Sequence, residues 1–148
     1  MLDLGRACAR AILLASFACA CAAASAIVPA KCTAKDAQAA DALLDHLDTW
    51  ASIGAIAKSF GHCDDGEIAE GISEAIVRLL VDHWDTLPAL EKMIARAPAL
   101  KNFVLSHIDA TLDTDDLEQV EKLARTKCPA RSMQLCVELA DTAVRALK

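Results

Sequence analysis

The sequence predicts an all-α protein, a small irregular bundle of about six helices stapled by disulfides. Three observations predict it. Apolar residues recur at helical spacing along most of the chain, and no β-branched run alternates with period two. Prolines stand where helices would begin. Beyond residue 26 an even set of four cysteines remains, Cys32, Cys63, Cys128 and Cys136.

Residues 1–26 read as a cleavable signal peptide. Arg6 and Arg10 form a short positive start, diluted by Asp3, and residues 11–30 carry no charge. Small residues then crowd in. Ala24-Ser25-Ala26 supplies a cleavage pattern before Ile27, and Ala22-Ala23-Ala24 is an equally legal site. A lipoprotein fits the letters less well, because neither Cys19 nor Cys21 has the Leu-like residue and small residues that lipidation wants before it. An uncleaved anchor fits less well too, because the run is mostly Ala and Ser. The expectation is an exported protein, periplasmic or secreted, with residues 27–148 as one helical domain and no stable membrane insertion after cleavage.

Thr33-Ala34-Lys35-Asp36 has the form of a capping box, with Asp in place of the usual Glu. Ala40, Leu43, Leu44, Leu47, Trp50 and Ala51 follow at helical spacing, so a helix is expected over residues 36–58, weakened by Gly54 and Gly61. Asp64 is the expected N-cap of the next helix. Ile68, Ile72, Ala75, Ile76, Leu79, Leu80 and His83 form its apolar stripe, with Glu67, Glu70, Glu74, Arg78 and Asp82 opposite and Glu74–Arg78 spaced for an ion pair. Gly71 interrupts that helix, which implies the close approach of a neighbour. Pro88 and Pro98 each open a short helix, the first carrying Leu90, Met93 and Ile94, the second Leu100, Phe103, Val104, His107 and Ile108. A helix over about 115–126 begins acidic and ends basic, matching the helix dipole. The last helix is expected from Pro129, with a stripe of Met133, Cys136, Val137, Ala140, Ala143, Val144 and Leu147.

An even cysteine count in an exported chain predicts two disulfides, and sequence alone permits three pairings. Cys128–Cys136 is the favoured local clip, which leaves Cys32–Cys63. A straight helix over residues 36–58 would hold its ends about 34 Å apart, whereas disulfide Cα atoms come within about 7 Å. Cys32–Cys63 therefore requires a break in that helix, expected near residues 49–54. Otherwise each N-terminal cysteine pairs with a C-terminal one.

The chain has a formal net charge of −6, which argues against nucleic acid, whose phosphates it would repel. The acidity is concentrated before Thr86, and an acidic surface of that kind suits a basic protein partner. The same acidity would also serve solubility alone. His62-Cys63-Asp64-Asp65 is the one place where ligand-type residues stand together, but no further Cys or His follows at zinc spacing. Asp113-Thr114-Asp115-Asp116 lacks the Gly and spaced Glu of a calcium loop. No catalytic motif is present, so no catalytic residue, cofactor or metal is assigned. Trp50, Trp84, Phe60 and Phe103 are expected in the core; a Trp exposed beside the acidic helix would instead anchor an interface.

Phe60-Gly61-His62-Cys63-Asp64-Asp65-Gly66-Glu67-Ile68-Ala69-Glu70-Gly71-Ile72 resembles the helix start of periplasmic immunity proteins paired with type VI secretion amidases. The likeness covers these 13 residues and departs from the family at Asp64-Asp65, where an aromatic-containing turn is usual. It implies inhibition of a toxin by binding and assigns no site residue. The expected function is thus an exported helical binding protein, an inhibitor or immunity protein, with Asp64, Asp65, Glu67, Glu70, Glu74 and Asp82 as the interface. The competing expectation is a periplasmic enzyme or metal-binding protein centred on residues 62–74. Convergence of those side chains on one cavity would favour the second, and divergence along a face the first.

Overall fold

In the computed structural model, which describes residues 31–148, seven α-helices and three short 3-10 turns surround one core, with no strand among the described residues. The signal peptide expected over residues 1–26 lies outside the described residues.

Helix α1 (Ala34–Asp41) starts on the expected capping box. The Thr33 hydroxyl accepts from the Asp36 amide, and the Asp36 carboxylate accepts from the Thr33 amide. The helix expected over residues 36–58 is two helices. After α1 comes a 3-10 turn, Leu44–His46, and then α2 (Trp50–Phe60). The break falls just before the stretch expected to hold it, because Thr49 and Ser52 form a second reciprocal cap and start a new helix at Trp50. Gly54, expected to weaken the chain, lies well inside α2. A Cβ there would stand 2.7 Å from the Met93 methyl, so the glycine admits a close neighbour. The break turns the chain back on itself. Cys32 and Cys63 form a disulfide with Cα atoms 4.9 Å apart.

Helix α3 (Gly66–Asp82) is capped by Asp65, whose carboxylate accepts from the Gly66 amide, rather than by Asp64. Gly66 has φ of +54°, a backbone that glycine adopts without strain, and this sets the start of the helix one residue later than expected. Gly71 does admit a close neighbour. A Cβ there would lie 2.8 Å from Leu44 Cδ1, so the bare backbone receives a side chain from the 3-10 turn rather than from a helix. His83 is exposed, because α3 ends at Asp82 and the backbone leaves helical geometry at His83.

A 3-10 turn, Trp84–Thr86, leads into α4 (Leu87–Arg96), with Pro88 in its first turn; α5 (Ala99–Ser106) follows Pro98. Helix α6 (Thr114–Thr126) packs along α7 (Met133–Ala146). The last helix does not begin at Pro129. Cys128 and Cys136 are bridged with Cα atoms 6.0 Å apart, whereas a helix covering those eight steps would separate them by about 12 Å. Residues 129–132 therefore form a turn. The buried face of α7 takes in the expected Cys136, Ala140 and Ala143 and adds Leu135, Leu139 and Thr142, which leaves Met133 and Val137, expected in the stripe, 58% and 52% exposed.

The core is built from Leu47, Ile53 and Ile56, from Ile72, Ile76 and Leu80, and from Leu90, Val104, Leu117, Val120 and Leu139. Both tryptophans belong to it. The Trp50 indole donates to Thr86 Oγ1 and the Trp84 indole to the Lys127 carbonyl, each at 2.8 Å. Two disulfides of this kind persist in an oxidising environment outside the reducing cytosol. No helix among the described residues is long and apolar enough to cross a membrane.

Candidate functional site: an acidic face on α3

Helix α3 buries Ile72, Ala75, Ile76, Leu79 and Leu80, so helical periodicity turns Glu67, Glu70, Glu74, Arg78 and Asp82 to solvent. All five are exposed, as is Asp65 at the cap. The cation spaced to pair with Glu74 does not pair with it. Arg78 donates to the Leu47 carbonyl at 3.4 Å and forms no ion pair with Glu74. Among the described residues, Glu67, Glu70, Glu74 and Asp82 have no Lys, Arg or His within ion-pair distance.

The fold extends this face with residues the sequence reading assigned only to a turn and a helix start. Residues 107–113 run beside α3. Glu74, Asp82, Asp113 and Asp116, with the single cation Arg78, line one concavity of about 390 Å³, and Glu70 and Glu74 meet Thr111 and Leu112 in a second of about 230 Å³. The crowding of charge has a titration signature. Asp116 is held above the ordinary carboxylate range, first by partial burial and then by the negative charges of Asp113, Asp82 and Asp115. Asp109 is turned inward to its own loop. Its carboxylate accepts from the Thr111 amide and hydroxyl, and the Thr111 hydroxyl bond is the leading cause of its lowered pKa. Asp113 accepts from the Asp115 amide and caps α6. No pattern in the sequence brings 113 and 116 opposite 74 and 82, since that juxtaposition is set by how α6 packs on α3.

Asp64 departs from the face. It is half-buried, and its Oδ2 lies 3.3 Å from His107 Nε2. His107 is 4% exposed, and its Nδ1 lies 2.9 Å from Ser73 Oγ. Ser73, His107 and Asp64 thus stand in a Ser–His–Asp chain of proximity, in which His107 Nε2 and Asp64 Oδ1 have no hydrogen-bond partner among the described residues; the sequence does not mark it, because His107 lies 34 positions beyond Ser73. Its geometry is that of a strut. Ser73 is 3% exposed within the third turn of α3, its hydroxyl is within 2.9 Å of the Ala69 carbonyl, and the surrounding amides are committed to the helix. A nucleophilic serine needs an open face and free amide donors where an oxyanion develops. The imidazole edge also packs on Phe103, with centroids 4.6 Å apart. The chain ties the start of α3 to the end of α5.

The side chains of residues 62–74 diverge. His62 lies 3.5 Å from Asp36 on α1, Asp64 faces His107, Asp65 caps α3 and Glu67 faces solvent. Asp64 and Glu70 share one concavity with Ser73, His107 and Asp109, and Glu70 and Glu74 share the one against Thr111 and Leu112, whereas His62, Asp65 and Glu67 line neither. Among the described residues no three His, Cys, Asp or Glu side chains stand together in a way that holds a metal ion. The chain matches no protein-family model, no curated protein and no solved structure.

Proposed function

We propose that this chain is an exported binding protein, periplasmic or secreted, which acts as an inhibitor or immunity protein by presenting the acidic face of α3 and the 113–116 segment to a basic protein partner. One observation carries the reading. Asp65, Glu67, Glu70, Glu74 and Asp82 are exposed together, and the neighbouring Arg78 is turned to a carbonyl. Like charges at i,i+3 and i,i+4 repel on a helix, so the Glu67–Glu70–Glu74 series works against helix stability. A partner carrying the opposite charge relieves that repulsion and is drawn in by it. The likeness of residues 60–72 to immunity proteins paired with type VI secretion amidases points to the same role. The enzyme or metal-site reading asks residues 62–74 to converge, and the separation of His62, Asp65 and Glu67 from the concavities lined by Asp64, Glu70 and Glu74 speaks for the interface.

The test is capture of periplasmic protein on the immobilised exported domain, identification of what is retained, and a salt series on the purified pair. The reading expects a partner with a basic patch and an association rate that falls steeply between low salt and 0.5 M NaCl, where the Debye length shrinks to a few ångströms. A retained partner whose association is indifferent to salt contradicts it.

A further inference from the structure

A concavity with an apolar lining lies away from the acidic face. It is a cleft of about 660 Å³ between α2, α4 and α5, floored by Gly54, Ala57 and Gly61 and walled by Met93, Leu100 and Phe103. That volume falls within the range of roughly 300–1,000 Å³ typical of small-molecule sites. Two of its lining residues are charged, Lys58 and Arg96, and both are cations; no carboxylate lines it. Both are exposed and neither forms an ion pair among the described residues. In a chain of net charge −6, a cleft carrying only positive charge is locally of the opposite sign.

Gly61 sharpens the reading. Its φ of −58° suits any residue, and a Cβ there would meet no heavy atom within 4 Å. Neither the backbone nor the packing of the chain itself asks for glycine at this position, and its effect is to leave the cleft open. Met93, half-buried with its methyl against Gly54, is an adaptable wall that can move aside for an apolar chain.

We propose that this cleft binds a single-chain anionic amphiphile, a long-chain carboxylate whose tail lies on the Gly54–Ala57–Gly61 floor and whose head group sits between Lys58 and Arg96. An apolar floor takes the alkyl chain, and the two cations select an anionic head over a cationic one. The site shares no lining residue with the acidic concavities, so it stands or falls apart from the protein-binding function.

The experiment titrates the exported domain with dodecanoate below its micelle concentration by isothermal calorimetry. Decanoate and dodecyltrimethylammonium serve as comparison ligands, and sedimentation gives the oligomeric state. The proposal expects one saturable dodecanoate site per chain. Decanoate binds more weakly by about fourfold per methylene lost, equivalent to ~0.8 kcal/mol per CH₂. Dodecyltrimethylammonium binds at least about tenfold more weakly, as does dodecanoate to the K58Q/R96Q double variant. Gly61→Leu, which fills the open space, abolishes binding while circular dichroism and the melting temperature stay at the wild-type values. Non-saturable uptake, equal affinity for the cationic amphiphile, or undiminished binding to Gly61→Leu overturns it. So does a dimer that Gly61→Leu dissociates, which would give the cleft to a second copy of the chain.

Discussion

His107 shows how a single residue couples packing to pH. Burial holds its imidazole below the ordinary histidine value, against the opposing pull of Asp64 and Asp109. As pH falls through about 6.5 the unfolded chain takes up a proton there, while the folded chain does not. The unfolded state then binds more protons, so stability is lost as pH drops through that value and levels off below the folded pKa. Thermal melts from pH 7.5 to 5 should show this decline, and a His107→Gln variant should be less stable at pH 7.5 but flatter across the window. Stability that rises toward pH 5 would mean that the Asp64 pairing outweighs burial. Ser132 offers a simpler test. It is fully buried, and its hydroxyl donates to the Glu91 carboxylate at 2.6 Å, joining α4 to the turn before α7. Ser132→Ala should cost about 1–3 kcal/mol in urea unfolding, because a carboxylate loses a shielded donor.

Among the elements, what the sequence revealed depended on whether the signal was local. The capping box at Thr33 and the prolines at 88 and 98 are local, and all three mark helix starts in the fold. The Thr49–Ser52 cap was equally local but lay inside an unbroken run of apolar spacing, which masked it. The start of α7 followed the disulfide rather than the proline, and its buried face turned toward Leu135 and Leu139, leaving Val137 outside. Leu135 and Leu139 stand four apart, so this face was legible in the helical spacing and was passed over for Met133 and Val137. The two disulfides also differ in what they hold. Cys32–Cys63 spans 31 residues and Cys128–Cys136 spans 8. Loop entropy then gives the longer bridge the larger effect, by about 1 kcal/mol. Replacing Cys32 and Cys63 by Ala should therefore lower unfolding free energy by ~2–5 kcal/mol, and more than the Cys128/Cys136 pair does. Equal losses would place the main effect in native strain or solvation. Mass spectrometry of the non-reduced protein should find no free thiol among these four cysteines.

At the scale of the whole molecule, charge is segregated from packing. The apolar core runs continuously through α2 to α7, while carboxylates without an ion pair among the described residues line the concavity between α3 and the start of α6. The residues of α3 that form this face were legible from helical spacing alone. The contribution of Asp113 and Asp116 was not, because it requires the contact between α3 and α6. Nor was the loss of Asp64 to His107, 43 positions away in the chain. Exposed charges of this kind contribute little to folding, so the face can be altered without altering the scaffold. The direct measurement is the association rate of the captured partner, at low salt, with a variant in which Glu67, Glu70 and Glu74 are all replaced by Gln. The account predicts a melting temperature within about 2 °C of wild type, together with association slowed by about tenfold or more and converging on the wild-type rate at high salt. A triple variant that binds at the wild-type rate at low salt would contradict it and leave these carboxylates as a solvated surface.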